Sequence, residues 1–176
     1  MKKLSVIIPV YNEKAFIEKC VNSVLASKRH GLELEIVISD NNSNDGTKEI
    51  LNKLIYPNVK IVYKEKTEGK GANIINAIKY ITGDIIIVQD ADLEYSPDNY
   101  EDLILPIIEN YADVVYGTRF SRAKAFHVYS FPHNIANYLI TLITNILFNK
   151  SFSDVCTGYK VFKSDCIKEI SLSSLG

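Results

Sequence analysis

The residues best suited to chemistry stand in one acidic run, Asp90-Ala91-Asp92-Leu93-Glu94. The run follows residues 85–88, which are all β-branched and show no alternation, a pattern that predicts a strand buried on both faces of a parallel sheet. Ligands of open α/β sheets bind beyond the carboxyl ends of the strands, where this run would lie. Carboxylates two residues apart on a turn can hold a hard divalent cation by oxygen. The alternative is a solvated acidic turn that caps a helix beginning near Pro97.

The rest of the chain predicts an α/β fold that would position this turn. Apolar runs predict five strands, and helical spacing of apolar residues predicts a helix after each of the first four, so we expect a three-layer, mostly parallel sheet with right-handed crossovers. The predicted strands are 4–10, 34–39, 59–64, 84–89 and 112–116, and the helices between them are 15–25, 47–54, 70–81 and 97–110. After Arg119 an irregular stretch leads to an apolar helix at 134–149, then a loop, a strand and a last helix at 164–170.

Polar segments also follow the other predicted strands. Tyr11 and Glu13 follow the first strand and Asp40 the second, and an aromatic face beside two acceptors suits a base and a ribose. Gly69-Lys70-Gly71 can bring backbone N–H groups and a positive charge to a ligand, although the P-loop spacing is absent. Singly, each of these residues also fits a helix cap, a rim position or an ordinary strand-to-helix turn.

Composition bounds the class of protein. The chain has 176 residues, which is enough for one domain, and its net charge of −1 from 20 basic and 21 acidic residues gives no basic excess for binding nucleic acid. The three cysteines show no CxxC spacing, which favours reduced thiols in the cytoplasm. The residues after Met1 are too short an apolar run for a signal peptide, and no window reaches the apolar length of a membrane span. We therefore expect a cytoplasmic protein, soluble or peripheral at the cytoplasmic face of a membrane.

Taken together and in order, the segments at the strand ends resemble the family-2 glycosyltransferases, which have the A-type nucleotide-diphospho-sugar transferase (GT-A, Rossmann-like) fold. Within that family the chain is most similar to the polyprenyl-phosphate (dolichyl-phosphate) mannose and glucose synthases, and the similarity covers nearly the whole chain. The segments that carry it are Pro9-Val10-Tyr11-Asn12-Glu13, Asp40 with Ser43-Asn44-Asp45-Gly46-Thr47, Gly69-Lys70-Gly71, Asp90-Ala91-Asp92, Gly117-Thr118-Arg119-Phe120 and Asp154-Val155-Cys156-Thr157-Gly158-Tyr159-Lys160-Val161-Phe162.

The resemblance implies a role for each matching position. The nucleotide sugar would be bound by Pro9, Tyr11, Glu13, Asp40, Lys70, Gly71, Asp90 and Ala91. Mg²⁺ or Mn²⁺ on the diphosphate would be held by Asp90, Asp92 and Glu94, the last standing where the mannose synthases carry Gln. Asp92 and Arg119 would be catalytic, Asp92 through the metal and Arg119 by facing phosphate. Apart from the resemblance, Asp154 is the candidate catalytic base if the acceptor is a sugar hydroxyl. For Asp154 the alternative is that it fixes the loop around Gly158.

The implied function is inverting transfer of a sugar from a UDP- or GDP-sugar to an acceptor. A polyprenyl phosphate is already an anion and needs no strong base, whereas a saccharide hydroxyl would require a carboxylate. Two other classes stay open: a nucleotide-sugar-binding fragment without catalysis, and a sugar nucleotidyltransferase. Against the latter, Tyr11-Asn12-Glu13 stands where those enzymes carry a glycine-rich basic loop. We expect one catalytic domain over 1–176, with 1–120 as the nucleotide-sugar half and 121–176 as the acceptor half. The resemblance leaves open whether the acceptor half is complete, because members of the branch continue beyond this segment.

Two features of the second half bear on the acceptor. The branch carries a further Arg for the acceptor phosphate near the start of the apolar helix, whereas this chain has none at 133–138 and offers only Arg122, Lys124, His127 or His133 as substitutes. The apolar helix itself is expected to pack in the core. The alternative is an exposed face that lies on a membrane or along a polyprenyl chain.

Overall fold

The computed structural model describes residues 2–118 and 131–169, and within them the chain forms a six-stranded sheet with helices on both faces. In chain order the elements are β1 (Lys3–Val10), α1 (Ile17–Leu25), β2 (Glu33–Asp40), α2 (Thr47–Leu51), β3 (Val59–Tyr63), α3 (Lys70–Ile78), β4 (Ile85–Val88), a 3-10 turn (Pro97–Asn99), α4 (Tyr100–Ile108), β5 (Val114–Tyr116), α5 (Phe131–Phe148), β6 (Lys160–Lys163) and α6 (Ser164–Glu169). Each predicted strand and helix of the first 118 residues is therefore present, with ends shifted by a few residues.

The sheet order is β3-β2-β1-β4-β6-β5. β1 pairs in parallel with β2 and β4, and β2 with β3, as the alternation of strands and helices predicts. β6 enters antiparallel between β4 and β5, so the sheet is mixed at this side. The antiparallel pairing aligns Val88 with Lys160, which places the start of β6 beside the acidic turn.

Two apolar layers sandwich the central strands. On one face Val6 and Ile8 of β1 join residues of α1 and α4, and on the other Ile7 and Ile86 pack against α3 and α6. Because alternate side chains of a strand point to opposite faces, a strand covered on both sides must be apolar throughout. All four residues of β4 are buried, which accounts for the uninterrupted apolar run ahead of Asp90.

The prediction that the apolar helix α5 packs in the core is wrong. Its large apolar side chains are exposed, while the polar Asn137 and Thr141 are buried. Asn137 Nδ2 donates to Asp154 Oδ1 (3.1 Å) and the backbone N–H of Val155 donates to Thr141 Oγ1 (3.3 Å). Asn145 exchanges two hydrogen bonds with the backbone of Phe152. These polar residues recur every four positions, so one face of the helix is committed to the loop and the apolar face is left outside.

Exposure of this face does not amount to a transmembrane segment. Across 2–118 and 131–169, no helix combines the length and hydropathy needed to cross a bilayer.

Candidate active site

A cleft of about 360 Å³ lies at the carboxyl ends of β1, β2 and β4, where the sequence places its polar segments. Seven of the predicted site residues line it, namely Pro9, Tyr11, Glu13, Lys70, Asp90, Ala91 and Asp92. The Tyr11 ring is half exposed in this cleft and is therefore free to meet a ligand. The structure thus brings together side chains that are up to 83 positions apart, between Pro9 and Asp92.

The turn after β1 is held in place by the turn after β2. The backbone N–H groups of Asn12 and Glu13 donate to the hydroxyls of Ser43 and Thr47, each at 2.9 Å. The Asn12 side chain accepts in return from the N–H of Asn44 at 2.9 Å. Asn12 has a φ of 56°, a left-handed conformation that Asn tolerates better than most residues. These bonds fix the backbone that carries Tyr11 and Glu13 to the cleft.

Asn41, rather than Asp40, presents its side chain to the cleft. Asp40 is fully buried and does not line this cavity. Its carboxylate accepts a hydrogen bond from the backbone N–H of Ser43 at 3.1 Å, and this bond shapes the turn after β2. Asn41 lines the cleft, donates to the Glu68 carbonyl and accepts from the Glu68 N–H at 3.0 Å. The nucleoside role expected for Asp40 stays a prediction, and Asn41 is a cleft residue that the sequence reading missed.

The start of α3 carries Lys70 and Gly71 and is anchored by Asn73. Asn73 is buried, accepts from the Ser39 hydroxyl at 2.6 Å and donates to the Ser39 carbonyl at 2.7 Å. It thereby ties the first turn of α3 to the end of β2. Lys70 then reaches the acidic turn, whereas Gly71 lines a neighbouring cavity rather than the cleft.

The Asp90 carboxylate is held from two sides. Lys70 Nζ lies 2.5 Å from its Oδ1, and the Asp90 side chain is only 14% exposed. On the other side Gly158 approaches so closely that a Cβ there would lie 2.8 Å from Asp90 Oδ2 and 2.6 Å from the Tyr95 ring. The Gly158 N–H also donates to the Tyr95 hydroxyl at 2.8 Å. A side chain at position 158 would therefore displace the carboxylate, which explains glycine there.

Gln89, the residue before the acidic turn, fixes the backbone of the turn through hydrogen bonds from its side chain. It is fully buried, and its amide donates to the carbonyls of Asp90 (2.9 Å) and Tyr95 (3.1 Å). Its carbonyl accepts from the hydroxyls of Tyr100 and Tyr159, each at 2.9 Å. Both donors and both lone pairs of the side chain are used, so the network is complete. The sequence offers no cue to it, because Tyr100 and Tyr159 come from α4 and from the segment before β6.

Carboxylates crowd the cleft. Burial raises the pKa of Glu13, and the nearby charges of Asp92, Asp45 and Asp90 raise it further. Burial, followed by the charges of Asp92, Asp90 and Glu13, also raises the pKa of the Cys20 thiol to about 12, so this thiol stays neutral at physiological pH. The cleft therefore has an excess of negative charge that a bound cation would relieve.

The residues present fit a divalent cation that is shared with a ligand. In the described part of the chain, no three His, Cys, Asp or Glu side chains group closely enough to hold a metal ion by themselves. Mg²⁺ in phosphate-binding sites commonly takes one or two carboxylates together with phosphate oxygens and water. Asp90 and Asp92 on one cleft match that donor set, whereas Glu94 lines the neighbouring cavity. The Asp92 carboxylate accepts from the Glu94 N–H at 3.1 Å, which orients it.

Other predicted positions lie elsewhere. Asp154 is buried, accepts from Asn137 and lines neither cavity, a placement that favours its alternative role of fixing the loop. Its role as a base stays a prediction. Arg119, Arg122, Lys124 and His127 and the side chain of His133 lie outside the described residues.

With this geometry established, comparison with known proteins identifies the family. Residues 5–171 match the model of glycosyl transferase family 2, and the chain belongs to that family. It is 29% identical over 178 residues to the dolichol-phosphate mannosyltransferase of Pyrococcus furiosus, covering 99% of this chain and 50% of that protein. It is 28% identical over 187 residues to the UDP-N-acetylglucosamine–dolichyl-phosphate N-acetylglucosaminyltransferase of Methanococcus voltae, covering 97% of this chain and 73% of that one. The expected similarity to the dolichyl-phosphate branch is confirmed, and the chain spans about half the length of the Pyrococcus relative.

Solved structures confirm the predicted GT-A fold. The mannosyltransferase of Pyrobaculum calidifontis in complex with GDP-Man and Mn²⁺ superposes with a TM-score of 0.66 at 21% identity, covering 95% of this chain and 46% of that one. The glucosyl-3-phosphoglycerate synthase of Mycobacterium tuberculosis in complex with Mn²⁺, UDP and phosphoglyceric acid gives 0.70 at 20% identity, covering 93% and 56%. At these identities the similarity establishes the fold alone.

The crowding of carboxylates predicts that Glu13→Gln stabilises the protein at neutral pH. A carboxyl with a raised pKa in the folded state destabilises the fold above its unfolded pKa, near 4.5, and the cost is complete once pH exceeds the folded pKa. The variant should therefore melt at a higher temperature than the wild type at pH 7, and the difference should vanish below about pH 4.5. Thermal unfolding followed by circular dichroism measures this. Glu18→Gln, on the exposed side of α1, is the control, and an equal shift in both variants contradicts the prediction.

The completed network predicts that Gln89→Leu is strongly destabilising. It leaves the hydroxyls of Tyr100 and Tyr159 buried without their acceptor, at a cost of about 1–3 kcal/mol each. Adding Tyr100→Phe and Tyr159→Phe should recover the part of the loss that comes from the two hydroxyls, because replacing both partners of a hydrogen bond by apolar groups is nearly neutral. The carbonyls of Asp90 and Tyr95 stay without the Gln89 donor in both variants. Urea unfolding of the single and triple variants tests this. If the triple variant is no more stable than Gln89→Leu, the network does not carry the energy assigned to it.

Proposed function

We propose that this chain is one catalytic domain of an inverting, divalent-metal-dependent glycosyltransferase that moves a sugar from a UDP- or GDP-sugar to a polyprenyl phosphate. Residues 1–120 form its nucleotide-sugar half and the remainder its acceptor side. The observation that carries the proposal is the convergence of Tyr11, Glu13, Asp90 and Asp92 on one cleft at the carboxyl edge of the parallel strands.

Each cleft residue has a task that suits its chemistry. Tyr11 offers an exposed aromatic face on which a base can stack. Glu13 offers a carboxylate that can accept a hydrogen bond from a ribose hydroxyl or from an N–H group of the base. Lys70 places a positive charge beside Asp90, within the part of the cleft that would receive the diphosphate. Pro9 and Ala91 contribute the walls between them.

The transfer step follows from the charges involved. An oxygen of the acceptor phosphate forms a bond to the anomeric carbon as the bond from that carbon to the diphosphate oxygen breaks. The electron pair of the broken bond leaves with the nucleoside diphosphate, and attack from the opposite face inverts the anomeric centre. A divalent cation at Asp90 and Asp92 would stabilise the negative charge that collects on this leaving group. The anionic acceptor needs no base, in agreement with the absence of Asp154 from both cavities.

Two observations favour a lipid phosphate as the acceptor. The Pyrococcus furiosus and Methanococcus voltae relatives are both named for transfer to dolichyl phosphate. In addition α5 exposes a continuous apolar face, with Ile143, Ile146 and Leu147 exposed to 55%, 71% and 72%. We propose that this face lies against the surface of the membrane that carries the acceptor, because amphipathic helices bind in this way.

The donor site predicts metal-dependent binding that Asp92→Asn weakens. Titration calorimetry with UDP and GDP, with and without Mn²⁺, should detect one nucleotide that binds only with the metal. Asp92→Asn should weaken that binding at least about tenfold, since it removes a charge facing the cation. Asp102→Asn, an exposed carboxylate of α4, is the matched control and should bind like the wild type. Binding that needs no metal and is indifferent to Asp92 overturns the proposed site.

The exposed face of α5 predicts binding to vesicles. The wild type should sediment with vesicles of phosphatidylcholine and phosphatidylglycerol, and Ile146→Glu/Leu147→Glu should reduce the bound fraction at least about tenfold, because burial of such side chains contributes about 1.5–3 kcal/mol each. Ile55→Glu is the control, since Ile55 is 89% exposed and lies outside α5. Wild-type protein that stays in the supernatant, or a loss equal in the control, contradicts membrane binding through α5.

A further inference from the structure

A second cavity, of about 530 Å³, lies beside the cleft on the face of the sheet that α3 and α6 cover. Its volume falls in the range of ligand-binding pockets, roughly 300–1,000 Å³. One wall is aliphatic and aromatic, formed by Ile74 and Ile78 of α3, Val88 and Phe162 of the sheet, and Ile167 of α6. The polar part of the lining includes Lys70, Asp90, Glu94, Thr157 and Lys160. A hexose would find few hydrogen-bond partners along the apolar wall, whereas a branched hydrocarbon fits against it.

The cavity meets the cleft at the acidic turn. Lys70 and Asp90 line both, and no other residue is common to the two sets of lining residues. A molecule in the second cavity would therefore reach the reacting end of the donor from the side of Asp90 away from Tyr11. Inverting transfer requires this arrangement, with the acceptor and the leaving diphosphate on opposite sides of the sugar.

Lys160 provides a cation in the lining of the cavity. It pairs with Val88, which stands two residues before Asp90, across the antiparallel β4–β6 ladder. Its side chain therefore lies on the same face of the sheet as the cavity. Its ammonium group donates to the Thr157 carbonyl at 2.9 Å and lies 5.4 Å from the centroid of the Tyr116 ring. Among the described residues no carboxylate is within ion-pair distance of it. Burial and then the charge of Lys70 lower the pKa of Lys160, so a bound anion would compensate this site.

We infer that this cavity is the acceptor subsite: Lys160 contacts the monophosphate of a polyprenyl phosphate, and the aliphatic wall between α3 and α6 receives its first isoprene units. The inference deepens the proposed function and rests on it. It also supplies from β6 the acceptor-side cation that the sequence lacks at residues 133–138.

Farnesyl phosphate is the probe, with farnesol and inorganic phosphate as partial ligands, and binding is measured by calorimetry. Lys160→Met should weaken farnesyl phosphate roughly 10- to 100-fold, the effect of losing a charge-assisted contact, and should leave farnesol unchanged. Ile74→Asn, which makes the wall polar, should weaken both farnesyl phosphate and farnesol. Lys163→Met is the matched control, because Lys163 lies on the same strand and pairs with Asp113 at 2.6 Å.

Binding of UDP or GDP with Mn²⁺ is measured on the same samples and should be the same in all three variants. Equal farnesyl phosphate affinity in the wild type and Lys160→Met overturns the subsite, and so does an affinity that falls equally in Lys163→Met. Absence of farnesyl phosphate binding while the nucleotide binds removes the subsite and leaves the donor site standing. Absence of nucleotide binding while farnesyl phosphate still depends on Lys160 removes the proposed function and leaves a site for lipid phosphate.

Discussion

The rest of the site depends on holding a mostly buried carboxylate, that of Asp90, in one position. A desolvated carboxylate is costly unless it is paired and packed. Lys70 of α3 supplies the positive charge that pairs with the Asp90 carboxylate. Gly158, in the segment before β6, packs closely against that carboxylate from the other side. Gln89 holds the backbone of the turn through the carbonyls of Asp90 and Tyr95. Elements that are distant in the sequence therefore have to meet at one side chain, and the cleft and the second cavity adjoin because they share it.

This constraint also explains the antiparallel entry of β6. Because β6 runs opposite to β4, its first residues lie beside the last residues of β4, with Lys160 across from Val88. A parallel strand would place Lys163 there instead and leave Gly158 and Lys160 at the far edge. Successive side chains of this segment point to opposite faces of the sheet. Tyr159 points into the core toward Gln89, and Lys160 points to the cavity on the other face.

The sequence predicts the parallel half well because its signals are local. Uninterrupted apolar runs identify β1 and β4, and the residues that follow them necessarily lie at one edge of the sheet. It could not separate Asp40 from Asn41, since a shift of one residue at the end of a strand exchanges a side chain that lies away from the cleft for one that lines it. Nor could it place β6 or the Gln89 network, because strand pairing and a buried hydrogen-bond network depend on contacts far apart in the chain.

The predicted core packing of α5 is wrong because polar contacts determine which face of the helix is buried. An unsatisfied buried polar group costs about 1–3 kcal/mol. The loop at 152–155 presents backbone groups and the Asp154 carboxylate, and Asn137, Thr141 and Asn145 satisfy them from one face of the helix. The apolar face of α5 therefore points outward, where the proposed contact with a lipid surface would remove it from water. The exposed apolar face of α5 and the apolar wall of the cavity beside Asp90 are separate features. In the proposed function the membrane covers the first and the tail of the acceptor lies against the second.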